Sequence, residues 1–434
     1  MEGDRQWGTP SVIAAPLLWS GAPWLAIGLI AVVVARVQEI FSPFAALRLA
    51  LVASVGVAVV LLLQANASTW GWLSRSATTR LLLAYVAWSA ITVPFALWPG
   101  LAFATLRTLL PLVVMYVAIV MCRPSWANLD RVQLGFVLAL AAFAAGSLLR
   151  GDEIVGGRLS PLGAMYDTND MAAVMAIGFT LACGLASRAR GVPRLVVAAV
   201  ALLLAVSVMA SASRGGALAL GVGAVAFVAG QRGRRRMTYL VALALGVFAA
   251  WQGGSPVLRE RLATLMTIRS DYNMKEKTGR LAVWKRGVSY FVDHPILGVG
   301  AGNFEVAEGV WLERNGDSGK WSAPHNAYIQ AFADLGVVGG MLFVSLIGVT
   351  ASRARRLWRP PGSRDAAPVH RPELLAALFA FCVAAFFLSL AYSGMLVVLV
   401  GLTALAAGAA RGEAQGAGPV PAAVGPPSFR RQVV

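Results

Sequence analysis

Runs of apolar residues about twenty long, repeated along most of the chain, constrain this sequence more than anything else in it. A bilayer core of about 30 Å needs about 20 such residues per helix. Candidate spans fall at roughly 18–35, 46–64, 80–97, 103–121, 131–149, 168–186, 194–210, 214–230, 237–251, 333–350, 373–391 and 393–410. Only 13% of the 434 residues are charged and 58% are hydrophobic, against about 25% charged in a soluble domain. The expected fold is therefore an all-α integral membrane protein of about twelve transmembrane helices. The division is helices one to nine over 1–251, a long outer loop over 252–332, helices ten to twelve over 333–410, and a disordered cytoplasmic tail over 411–434, rich in Pro, Ala and Gly. The N-terminal MEGDRQWGTP lacks the pattern of a cleavable signal, so the first apolar segment is expected to stay as an anchor.

The net charge of +17 is read as membrane topology and not as nucleic-acid binding. Arg75 and Arg80, Arg123 and Arg131, Arg188 to Arg194, Arg232 to Arg236, and Arg353 to Arg371 fall in alternate connections. Cytoplasmic loops are rich in Arg and Lys, so these connections share the cytoplasmic side. Residues 150–170, the turn 211–214 and the interval 252–332 then face outward. The cysteines Cys122, Cys183 and Cys382 form no pair with metal spacing and read as packing residues. No metal site, phosphate loop or dinucleotide fingerprint is expected, and no cofactor.

Within the outer interval, Leu281, Trp284, Val288 and Phe291 recur at helical spacing. Thr278 would cap this helix, Lys285 and Arg286 would lie on its polar side, and His294-Pro295 would stop it. The segment Gly298–Asn303 reads as a turn-rich linker, and a second helix is expected to begin near Pro324.

No ATP reaches the outer face, so chemistry there needs an activated, membrane-delivered substrate such as a lipid-diphosphate sugar. Diphosphate calls for arginine, whose planar fork matches phosphate oxygens. Arg214 in SASRGG follows Ser211 and Ser213, either of which could cap its helix; the uncapped N–H groups there attract anions. Arg280, Lys285 and Arg286 on the outer helix, Arg158 in the 150–167 loop, and Arg107, about one turn inside a span, are the other outward cations. An ionisable residue inside a span is a functional hypothesis by default. His325 in PHN can accept a proton, since imidazole titrates near pH 6.5. His294 and His370 read as structural. Asp334, Glu305, Glu308 and Glu313 are acids that no spacing singles out.

Four motifs in order resemble the O-antigen ligase and O-antigen polymerase superfamily of bacterial envelope enzymes. They are SRGG (213–216), GR-x3-W (Arg280 to Trp284), DHP-x2-G-x-G-x-GNF (293–304) and PHNAYIQAFADLGVVGG (324–340); TNDMA (168–172) is similar to that family's Asn-Asp element. The resemblance implies a fold similar to the glycosyltransferase-C-type lipid-sugar transferases. It also implies an inverting, metal- and nucleotide-independent transferase in the bacterial inner membrane with its active site facing the periplasm. Its donor would be an undecaprenyl-diphosphate polysaccharide and its acceptor lipid A–core, in lipopolysaccharide biosynthesis. Catalytic residues would be His325 as base, with Arg214 and Arg280 on the diphosphate. Arg158, Arg107, Lys285, Arg286, Trp284, Asn169 and Asn326 are the expected substrate contacts, Asn326 also orienting the His325 ring. A single long, late outer loop is more similar to the ligases, with the polymerases as the alternative. A lipid-linked sugar transporter is disfavoured by the lack of an internal repeat.

Overall fold

The computed structural model describes residues 21–40, 48–65, 67–150, 153–154, 157–162, 167–263, 279–316, 321–358 and 369–416. The described chain is almost wholly helical. In order come α1 (Ala22–Leu29), running into a π turn to Val34, then α2 (Leu49–Gln64), α3 (Ala67–Arg75), α4 (Ala77–Thr92), α5 (Pro99–Val120) and α6 (Trp126–Arg150). A two-residue β-ribbon, Glu153–Ile154 with Arg158–Leu159, precedes α7 (Thr168–Arg188), α8 (Gly191–Ala210), α9 (Arg214–Gly230), α10 (Gly233–Gly253) and α11 (Pro256–Ala263). The rest are α12 (Arg280–Asp293), α13 (Phe304–Arg314), α14 (Ala327–Trp358), α15 (Pro372–Phe387) and α16 (Gly394–Gly416).

Each of the twelve apolar runs coincides with a helix, but the helices are unequal. Among the described residues six are long and apolar enough to cross a membrane: α5, α6, α7, α8, α14 and α16. The pair α10 and α11, bent by 111°, makes a seventh if taken as one broken span. The segments Ala22–Val34, α2, α9 and α15 are apolar but shorter. Hydropathy counts apolar residues and not hydrogen-bonded turns. The run read as 373–391 stops being helical at Phe387, so Leu388–Ser393 is a turn. At the C-terminus the correction is opposite: the helix runs on through Arg411 to Gly416, and the rest of the expected tail, 417–434, lies outside the described residues.

Burial orders the bundle. The central α7 has 72% of its apolar window inside the protein, whereas α8 has 28%. Helix α9 packs on both α7 and α15, and its buried stripe includes Gly216, Ala219 and Gly223. A Cβ on Gly216 would stand 2.4 Å from the Ala172 Cβ, and one on Gly223 would meet Thr180 and Ala380. Small residues allow helices to approach closely where lipid gives no hydrophobic drive between them.

The basic connections gather at one end of this bundle. There Arg188 bridges Asp130 and the buried Glu373 at 3.0 and 2.8 Å, and Arg371 pairs with Asp130 at 2.7 Å. Arg188 and Arg371, basic residues of these connections, thus also tie α6, α7 and α15 together.

At the other end α14 is broken at Gly336 (φ 65°, ψ −166°). The carbonyls freed by the break are taken up. Val299 and Gly300 donate to the Ala333 and Asp334 carbonyls at 2.9 Å, and the Trp88 indole donates to Leu335 at 2.8 Å. Val337 in turn donates to the Pro295 carbonyl. Irregular backbone at such depth persists only where protein satisfies it. Gly298–Asn303 is thus a buried plug and not a linker. A Cβ at Gly336 would stand 2.0 Å from the Ile296 carbonyl oxygen, so only glycine fits there.

Candidate active site

Four helices begin on this second face: α7 at Thr168, α9 at Arg214, α12 at Arg280 and α14 at Ala327. Each beginning carries unpaired N–H groups and a partial positive charge. Three are capped by side chains, α7 by Asp167, α9 by Ser213 and α14 by Asn326. The Asp167 carboxylate accepts from the Asn169 and Asp170 amides, both at 2.7 Å, and the Ser213 hydroxyl accepts from the Gly216 amide at 3.2 Å. Helix α12 has Gly279 at its cap with no side-chain bond; the expected cap, Thr278, lies outside the described residues. Arg214 and Arg280 each occupy the first position of their helix and are half-buried.

Three of these beginnings, those of α9, α12 and α14, meet the C-terminal end of α15. A Cβ on Gly215 would touch Phe387 at 3.2 Å, which seats the start of α9 there. Trp284 lies edge-on to Phe386, with ring centroids 5.3 Å apart, and its indole donates to the Pro324 carbonyl at 2.9 Å. The next residue, His325, donates its backbone N–H to the Ser389 hydroxyl at 3.0 Å. Arg158 donates to the Ser211 carbonyl at 3.0 Å and to the Asn169 side chain at 2.9 Å, joining the ribbon to α7 and to the turn before α9. Burial, and after it the charge of Arg261, pull the Arg158 pKa down, with Asp167 opposing. A cation so placed gains from an anion beside it.

Backbone strain falls at the same place. Among the described residues three that are not glycine have positive φ, and two are Ala212 (48°) and His325 (43°). Such conformations cost about 1–3 kcal/mol each and cluster at functional sites.

The segment 199–344 matches the family model described as O-Antigen ligase. It takes in Arg214, Arg280 and His325. The match covers 199–344 of the 434 residues, and over that segment the chain is similar to O-antigen ligases. No curated protein matches. A solved structure titled "Structural coordination of polymerization and crosslinking by a peptidoglycan synthase complex" aligns at 21% identity and a TM-score of 0.42, over 77% of this chain and 96% of the other. The matched segment and the long apolar helices support a membrane enzyme of the glycosyltransferase type.

Of the residues expected to touch substrate, Arg214, Trp284, Arg280 and His325 are on elements that meet at the end of α15, and Arg158 and Asn169 adjoin the turn before α9. Arg286 gives its guanidinium to Glu308 in two bonds of 2.7 and 2.6 Å and stacks 4.6 Å from the Trp311 ring centre. The Tyr290 hydroxyl donates to the same carboxylate at 2.8 Å. The bond to Glu308, first, raises the Arg286 pKa; burial, first, and then Glu308 raise that of Tyr290. Arg286 is therefore a strut between α12 and α13. Asn326 is buried, and its Oδ1 accepts from the Tyr328 and Ile329 amides, each at 3.0 Å. It caps α14. Lys285 and Arg107 are exposed, and α5, which carries Arg107, packs mainly on α1, α2, α4 and α16.

The helical periodicity of α12 also misled. Its buried residues are Val283, Gly287 and Tyr290, which pack on Val299, Phe304, Ala307 and Ala333. The expected stripe member Val288 is exposed. A glycine in the pattern hid the true face, and α13 was not foreseen as its partner.

Two further contributors were missed. Ser389 sat inside a run read as continuous helix; the polar residues Ser389, Tyr392 and Ser393 were the signal for an earlier end. Asp334, fully buried on α14, accepts from the Gly302 amide at 3.1 Å and the Tyr392 hydroxyl at 3.0 Å. It pins the plug to the turn that carries Ser389. Among the described residues no group of three or more His, Cys, Asp or Glu could hold a metal ion.

Proposed function

We propose that this protein is an O-antigen ligase working at the periplasmic face of the bacterial inner membrane. It moves a polysaccharide from undecaprenyl diphosphate to a hydroxyl of lipid A–core. His325 takes the proton of that hydroxyl, whose oxygen attacks the anomeric carbon. The bond from that carbon to the diphosphate oxygen breaks, undecaprenyl diphosphate leaves, and the configuration inverts. Arg214 and Arg280, each backed by the N–H groups of its own helix, bind the diphosphate and stabilise the charge that it gains. Arg158 and Asn169 border the same anion site.

The observation that carries this reading is the meeting of three helix N-termini, those of α9, α12 and α14, with Arg214, Arg280 and His325 on or beside them, at the end of α15. Positive poles and guanidinium groups gathered at one place suit a substrate of high negative charge. The basic connections at the opposite end support an outward orientation for this face.

The test is transfer by purified protein in vesicles with lipid-linked donor and lipid A–core. Arg214→Lys and Arg280→Lys should each lower transfer about tenfold or more at normal protein level. An ammonium keeps the charge but loses the two-pronged phosphate contact, and a hydrogen bond to a charged group contributes about 1.5–3 kcal/mol. Full activity of both variants would show that the arginines serve topology alone. Extension of the lipid-linked glycan without transfer to lipid A–core would identify a polymerase.

A further inference from the structure

We infer that the protein carries a second anion site, at the basic end of the bundle, that binds a phosphate-bearing ligand. A cavity of about 240 Å³ lies there, lined by Arg75, Arg353, Arg411, Ser76, Thr79 and Tyr116 together with Val120 and Ala404. That is far above the roughly 10–15 Å³ that one water needs.

Three arginines from three separate parts of the chain converge: the end of α3, the last turns of α14 and the end region of α16. None of the described lining residues is acidic. This contrasts with the neighbouring Arg188 and Arg371, which are ion-paired to Asp130 and Glu373. The electrostatic neighbours of Arg353 include Arg411 and Arg356, both repulsive.

The floor of the cavity is built and not incidental. Arg353 donates to the Thr78 hydroxyl at 2.8 Å, and the Thr78 and Thr79 hydroxyls meet the Tyr116 hydroxyl at 3.0 and 2.9 Å. Tyr116, Thr78 and Thr79 are buried, so this network holds one long guanidinium in a fixed position at the edge of the bundle. Helix α4 begins at this wall. Its cap residue Ser76 makes no side-chain bond to the first-turn amides, so the positive pole of the helix adds to the field of the arginines.

Phosphate is the anion that fits: it is compact, accepts several N–H donors at once and is the preferred partner of guanidinium groups. It can arrive as the headgroup of an anionic lipid or as a free ion. Trp70, exposed on α3 five residues before Arg75, is of a type enriched where bilayer meets water. That height is where a headgroup lies, and basic pockets between spanning helices take such headgroups.

The test uses full-length protein in detergent, exposed in turn to phosphatidylglycerol, to phosphatidylcholine and to inorganic phosphate, with retained ligand read by native mass spectrometry. The variant is Arg75→Gln/Arg411→Gln, because both side chains are exposed and their loss leaves the Thr78–Tyr116 network intact. A charge-matched control is Arg190→Gln/Arg194→Gln, at the same end but outside the cavity. Wild type and control should retain phosphatidylglycerol over phosphatidylcholine, and the Arg75/Arg411 variant should lose about tenfold of that preference, equivalent to about 1.4 kcal/mol. Retention of inorganic phosphate, with the same loss in the variant and no lipid preference, assigns the site to a soluble phosphate. Equal retention by variant and control for both ligands overturns the inference.

Discussion

Removing Arg286 separates a structural from a substrate-binding part for that residue. In Arg286→Ala the Glu308 carboxylate, 1% exposed, loses a partner that is itself only 11% exposed. Breaking a buried pair from one side costs about 3–5 kcal/mol, and the lost stacking on Trp311 adds about 0.5–1 kcal/mol. The Tyr290 hydroxyl still donates to Glu308, and a stranded carboxyl can take up a proton, so the net cost should lie near the low end, about 3 kcal/mol. Thermal unfolding in detergent should show this as a clear fall in midpoint, with transfer activity falling in parallel. Arg286→Met/Glu308→Gln removes both charges and keeps an oxygen for Tyr290. It should recover at least half of the lost stability, because a neutral pair has no buried charge to strand, and activity should return with it. An Arg286→Ala protein that is as stable as wild type and yet inactive would refute this reasoning and return Arg286 to the substrate.

Three further outcomes are expected. His325→Ala should lose about 10²–10⁴-fold in transfer, the usual contribution of a general base, with donor binding retained; wild-type activity should fall on acidification, since a protonated imidazole cannot accept the acceptor's proton. A stable His325→Ala enzyme with near-normal transfer sinks the mechanism. Gly336→Ala should fail to assemble stably, because the new Cβ meets the Ile296 carbonyl oxygen at a backbone conformation that already costs a side chain about 1–3 kcal/mol; a thermal midpoint equal to wild type would show that α14 can straighten. Purified protein should transfer in EDTA without ATP, and activity lost to the chelator and restored by magnesium would bring a metal into the diphosphate site.

The sequence by itself determined where the apolar helices lie, because a bilayer demands apolar runs and the runs are plain to count. It determined the grouping of basic connections, since alternate loops carry the arginines. It also marked the start of α9 beside Arg214, because Ser213 caps that helix through a local hydrogen bond that needs no tertiary partner. What only the tertiary structure decided concerns partners distant in the chain. Whether Arg286 faces solvent or Glu308 depends on α13, which lies across a loop. That Gly298–Asn303 fills the break at Gly336 depends on carbonyls more than thirty residues away. The end of α15 at Phe387, and so the place of Ser389 beneath His325, was hidden because hydropathy measures affinity for lipid, while a helix ends where its backbone finds other hydrogen bonds. The cavity of Arg75, Arg353 and Arg411 was hidden for the same reason. Local pattern records what a residue can do, and only packing brings three such residues to one point.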